Sequence, residues 1–326
     1  MSERGPRQFS ARPPQGKLVL LPGERGSAAH QVASVGAIAA LVINAFVWGV
    51  SWWPFRELQS LGLHPLWSTA LIYFFSFTCV MLVRPWGWRG FAQHPQLWLL
   101  LVAAGLTNVG FNWAVTVGDV VRVVLLFYLM PAWAVLLAWA VLGEKPTRAS
   151  LLRLLLAMAG VLIVLKSPDS PWPVPQDAAD WLSLMGGLSF AATNVLLRKL
   201  ADTPSESRMM AMFGGGAIMA SAVALLGMAW HIVPAPVWTT SWLGVALGLS
   251  LAFLASNMAL QYGAARLAAS TTAIVMLTEI LFASLSAAAL GAAEFSPRTL
   301  LGGSLIVLAA VLAAMAPTSV GKAQNP

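Results

Sequence analysis

Glu279 is the only acidic residue near the middle of any long apolar run in this chain. An ionisable group at that depth is costly in hydrocarbon and by default points to function. It can hold and release a proton during a working cycle, or remain a neutral acid bonded to a neighbouring helix. Two pairs of amides form a second constellation. Asn108 and Asn112 are four residues apart, as are Asn257 and Gln261, so each pair shares one face of a helix. Amides offer donors and acceptors without charge, which suits a zwitterionic or polar neutral ligand. They also serve as glue between membrane helices, and the spacing leaves both readings open. Trp48, Ser51 and Trp52 follow a helical stripe with Asn44 and Phe55. Tyr73, Trp113 and Tyr128 add aromatic surface, favouring a ligand with an aromatic or apolar body.

The elements that must position these residues follow from composition. Of 326 residues, 58% are hydrophobic and 10% charged, with mean hydropathy +0.75. A soluble domain carries about 25% charged residues, so an ordinary cytosolic protein is excluded and the bilayer is the natural partner. Ten apolar segments run over about 33–54, 65–83, 96–117, 120–142, 149–166, 179–200, 208–231, 240–263, 268–291 and 298–316, each near the span length of about 20 residues. Residues 1–32 read as a basic, disordered cytoplasmic tail and 317–326 as a carboxy-terminal tail. The net charge of +7 forms no nucleic-acid-binding face. With both termini inside, 15 of the 19 Lys and Arg residues fall on the cytoplasmic side, as the positive-inside bias requires. Trp86, Trp88 and Trp98 fit interfacial belts.

The halves repeat. Residues 108–113 align with 257–262 at an offset of 149, and residues 48–56 with 190–198 at an offset of 142. Each unit, 33–168 and 176–316, holds five helices, so the second enters the membrane inverted. The fold expected is an all-α membrane protein of ten transmembrane helices in two inverted five-helix repeats, a plan common among secondary transporters. Pro131 lies inside the fourth segment and would bend it as a hinge, while Pro54 is placed to end the first helix. Asp119 and Arg122 read as a local pair or an external gate, and Arg198 and Lys199 as orientation charges. Gly186–Gly187, Gly214–Gly216, Gly244 with Gly248, and Gly302–Gly303 suit close helix approach. No phosphate-cradling glycine loop occurs. The single Cys79 and the scattered His30, His64, His94 and His231 make no metal set. No cofactor, metal or catalytic residue is expected.

Trp48-Gly49-x-Ser51, the run from Tyr128 to Pro131 leading to Leu142-Gly143-Glu144, and the five-plus-five repeat resemble the EamA-type transporters of the drug/metabolite transporter (DMT) superfamily. The stretch from Ala70 to Tyr73 is similar to the YddG-type aromatic amino-acid exporters. Glu279-Ile280 and the spread Gly291-Ala-Ala-Glu294 depart from the usual second-half pattern. The resemblance implies a cavity ringed by helices 1–4 and 6–9 with helices 5 and 10 peripheral, and Pro131 bordering it. It further implies export of an amino acid, aromatic or apolar, by alternating access across the plasma (inner) membrane. Export of drugs, nucleobases or organic acids is the alternative. An intramembrane enzyme is the alternative of another class, and Glu279 alone supplies no catalytic set.

Overall fold

The computed structural model describes residues 22–118, 120–165, 175, 177–237, 239–291 and 297–315. The expected tails therefore lie largely outside the described residues, as do Asp119 of the expected pair with Arg122 and Glu294. The chain divides into Met1–Ala33 and a body, Ser34–Pro326. Among the described residues there is no strand. In the first half the helices are α1 (Pro22–Val50), α2 (Trp52–Ser60), α3 (Pro65–Val83), α4 (Gly90–Gln93), α5 (Gln96–Val117), α6 (Val120–Phe127), α7 (Met130–Leu142) and α8 (Arg148–Leu165). The second half holds α9 (Ala178–Lys199), α10 (Ser205–Ala229), α11 (Leu243–Ala264), α12 (Ala269–Met276), α13 (Glu279–Ala289) and α14 (Pro297–Ala314).

Local chemistry sets the ends. His64 Nδ1 accepts from the Leu66 amide at 3.3 Å ahead of Pro65, and Asp177 caps α9 through the Asp180 amide at 3.0 Å. Such caps satisfy amides that a helix start leaves without partners. Gly143 (φ 70°) and Gly291 (φ 67°) terminate α7 and follow α13 in the left-handed region, where a side chain is disfavoured. Among the described residues six helices are long and apolar enough to cross a membrane: Val35–Ser60, Pro65–Val83, Gln96–Ala114, Ser205–Ala229, Leu243–Ala264 and Ala269–Ala289. Large apolar side chains such as Leu82, Leu152 and Leu155 stand exposed on helix flanks, as surfaces meant for lipid do.

Two boundaries differ from the sequence reading. α1 begins at Pro22, inside the stretch expected to be tail. It ends at Val50, four residues ahead of Pro54, which sits in the first turn of α2. The proline ring excludes a regular bond to the carbonyl four residues before it, so the break falls upstream of the proline rather than at it.

The fourth segment is interrupted after Phe127 and resumes at Met130, with Pro131 in the first turn of α7. The ninth is interrupted after Met276 and resumes at Glu279. Both breaks stand 149 residues apart, as do the starts of α6 and α12. Pro131 lacks the N–H that would bond to Phe127, and the chain turns through short bonds from Leu129 to Leu126 (3.3 Å) and Ala132 to Leu129 (3.0 Å). The second half has no proline there. The Thr278 hydroxyl instead donates to the Val275 carbonyl at 2.8 Å, competing with the helical ladder.

Packing partners exchange between the halves in the same way. α3 packs on α11 and α10 on α5, while α8 and α14 pack on each other. In that last pairing a Cβ on Gly160 would fall 2.6 Å from the Gly302 carbonyl, and one on Gly302 would fall 2.6 Å from the Gly160 carbonyl. The expected approach at Gly186–Gly187 and Gly214–Gly216 is also present. Gly244 and Gly248 are different: nothing lies within 4 Å of a Cβ at either position. Small residues permit close approach but do not compel it, and that face of α11 has no helix against it.

Candidate functional site

A cavity in the body is lined by residues of both halves. Its free space is about 800 Å³ with the mouth included, of which only about 60 Å³ admits the centre of a water molecule. It is therefore narrow. Asn44 and Trp48 of α1 reach it, with Tyr73 of α3 and the α5 face that carries Ala104, Thr107, Asn108, Phe111 and Asn112. Phe127 and Tyr128 enter at the first helix break, Met276 and Glu279 at the second. Phe190 and Thr193 of α9, Met212 of α10, and Phe253, Asn257 and Leu260 of α11 complete the wall. Among the described residues none of α8 or α14 lines it.

Of the residues singled out from sequence, Trp48, Tyr73, Asn108, Asn112, Tyr128, Asn257 and Glu279 share this cavity. Four do not reach it. Ser51 turns back to donate to the Trp48 carbonyl at 2.7 Å, and Trp52 Nε1 donates to Ser286 Oγ at 2.9 Å. Trp113 stacks obliquely on Trp230 at 6.2 Å. Gln261 lies one turn behind Asn257 and donates to its Oδ1 at 2.7 Å.

The amides are tethered across the fold. Asn44 Nδ2 donates to Ser256 Oγ at 2.6 Å and to the Ser256 carbonyl at 2.9 Å. Asn112 Nδ2 donates to Thr69 Oγ1 at 2.6 Å, Asn108 Nδ2 to the Ala104 carbonyl at 2.9 Å, and Asn257 Nδ2 touches Met212 Sδ at 3.7 Å. The Tyr128 hydroxyl hydrogen-bonds Glu279, joining the two breaks. Phe127 packs 5.8 Å from Tyr128, 4.8 Å from Phe111 and 6.0 Å from Phe190. Trp48 packs edge-on against Phe253 at 4.6 Å.

Several lining residues were not singled out, among them Phe111, Phe127, Phe190, Thr193 and Phe253. The repeat carries a signal for them. At an offset of 142 Phe190 stands where Trp48 does, and at 149 Asn257, Leu260 and Met276 match Asn108, Phe111 and Phe127.

Away from the cavity, Arg198 is more than an orientation charge. It lies 3.9 Å from Glu144 and donates to the Ala265 carbonyl at 2.9 Å. Burial holds the Glu144 carboxyl above its ordinary value, and Arg198 and the Ala269 amide offset this only in part. The folded protein then binds this proton more readily than the unfolded chain, so the stability it contributes is full below the ordinary carboxylate pKa and is lost as pH rises through the raised value. In detergent, the unfolding midpoint of Glu144→Gln is expected to gain on the unaltered protein as pH rises across that window. Parallel curves would show Glu144 to be solvated like a surface carboxyl.

Membrane-length apolar helices, with an internal cavity of amides and aromatic rings among them, fit a multi-pass integral membrane protein. Residues 35–166 match the EamA-like transporter family. A curated relative, "Protein RarD" of Streptomyces exfoliatus, is 26% identical over 165 residues, 47% of this chain. The match spans 49%, about half, of that relative's length. A chain of known crystal structure is similar with a TM-score of 0.69 at 18% identity, covering 86% of this chain and 97% of that one, which is a likeness of fold.

Proposed function

We propose that this protein is a secondary transporter that exports a small metabolite, an aromatic or apolar amino acid being the first candidate. In this reading, residues 33–168 and 176–316 are inverted five-helix repeats of a ten-helix membrane body. Both termini are cytoplasmic, and the repeats rock about the cavity to expose it alternately to each side of the inner membrane. The observation that carries the reading is the pair of helix breaks 149 residues apart, each delivering side chains to a cavity lined from both halves. Interrupted helices in corresponding positions mark the substrate site in transporters built this way. Pro131 serves as the hinge of the first break.

Reconstitution into liposomes with a panel of labelled amino acids, amines, nucleobases and dyes tests it. At least one compound is expected to move faster than in protein-free vesicles. A panel that moves no faster in any case sinks the transporter reading.

A further inference from the structure

We propose that the cavity selects an organic cation: an ammonium group on an aromatic or apolar body, without a free carboxylate. The proposal rests on the transporter reading and moves its first candidates from amino acids to amines that lack the carboxylate.

The first observation is the charge inventory of the wall. Among the described residues Glu279 is the one acidic side chain of the wall, and no Lys, Arg or His lines it. A zwitterion would bring its own carboxylate into that space, facing Glu279 with no cation to receive it. Like charges in a poorly solvated site repel strongly, whereas an ammonium group meets an opposite charge.

The second is the direction of the hydrogen bonds. Each lining amide nitrogen is already engaged: Asn44 on Ser256, Asn108 on Ala104, Asn112 on Thr69 and Asn257 on Met212. Asn44 Oδ1, by contrast, is buried with no partner among the described residues. Asn44 Oδ1 is therefore a buried acceptor of the wall that the fold leaves for a ligand. A donating ligand satisfies it, and an ammonium group has three donors and no acceptor.

The third is the aromatic wall that begins at the carboxylate. Tyr128 bonds Glu279, and Phe127, Phe111 and Phe190 continue from it with ring centroids 4.8 to 6.0 Å apart. Ring faces attract cations, and the same rings bury an apolar body. The ammonium group sits at Glu279 with the hydrocarbon body along the rings.

Calorimetric titration of the purified full-length protein in detergent with phenethylamine and with phenylalanine decides the point, since the pair differs only by the carboxylate. Phenethylamine is expected to bind at least about tenfold more tightly, the size of one charge-assisted hydrogen bond. Glu279→Gln is expected to weaken it by at least about the same factor while phenylalanine binding stays weak. Equal or tighter binding of phenylalanine overturns the proposal, as does an amine affinity unchanged in Glu279→Gln, or no binding of either compound. The comparison on the unaltered protein stands even if Glu279→Gln yields no folded material. Any of these failures leaves the transporter reading to the liposome panel, where an amino acid, nucleobase or dye can still move.

Discussion

Gly215→Val and Gly216→Val are each expected to remove most of the monodisperse, folded protein, while Gly248→Val leaves the yield unchanged. The three glycines look alike in sequence, each lying in an apolar run. In the fold, α10 is wedged between α5 and α3. A Cβ at Gly215 would collide with the Leu101 carbonyl of α5, and one at Gly216 with the ring of Tyr73 on α3. Neither obstacle yields cheaply. The first is backbone, and the second is a buried ring already packed on Phe213 at 5.8 Å. Overpacking of this kind costs about 1–3 kcal/mol per site and more where backbone must move, against a total stability of about 5–15 kcal/mol. Gly248 has nothing within 4 Å. Size-exclusion profiles and thermal unfolding in detergent are the measurements. Equal yields and midpoints for the three variants would contradict the close approach of α10 to its neighbours.

Asn257→Leu, alone or with Gln261→Leu, is expected to reduce transport at least about tenfold, the scale of one hydrogen bond to the substrate. Folded protein is expected to survive, because leucine replaces the amide at similar volume and Asn257 reaches across the helix interface only to a sulfur at 3.7 Å. Asn44→Leu supplies the contrast. It breaks two bonds to Ser256 on α11, so its effect should appear first as a fall in folded protein. Transport retained in Asn257→Leu, measured in the same liposomes, would make Asn257 helix glue rather than a substrate-binding residue.

Much of the helical layout was legible from hydropathy. The apolar runs at 65–83 and 96–117 coincide with α3 and α5 residue for residue, because hydrocarbon demands an unbroken ladder of backbone bonds over each apolar stretch. The helix breaks were less so. Pro131 announced the first. The second, at Leu277–Thr278, arises without proline from a threonine hydroxyl competing for a carbonyl, and such competition leaves no mark on hydropathy. Only its offset of 149 from the first would have pointed to it.

The facing of side chains divided along the same line. In a soluble helix polarity separates inside from outside, but here lipid and protein interior are both apolar. Phe111, which lines the cavity, and Trp113, which packs outside it on Trp230, are equally hydrophobic neighbours on α5. By itself the sequence determined the membrane setting, many of the helix positions and the polar residues within the apolar runs, since all of these are properties of composition and spacing. Only the tertiary structure decided which amides reach the cavity and which of their atoms are already engaged. Those facts depend on partners far along the chain, Asn44 on Ser256 across 212 residues and Asn112 on Thr69 across 43, and spacing within one helix carries no record of them.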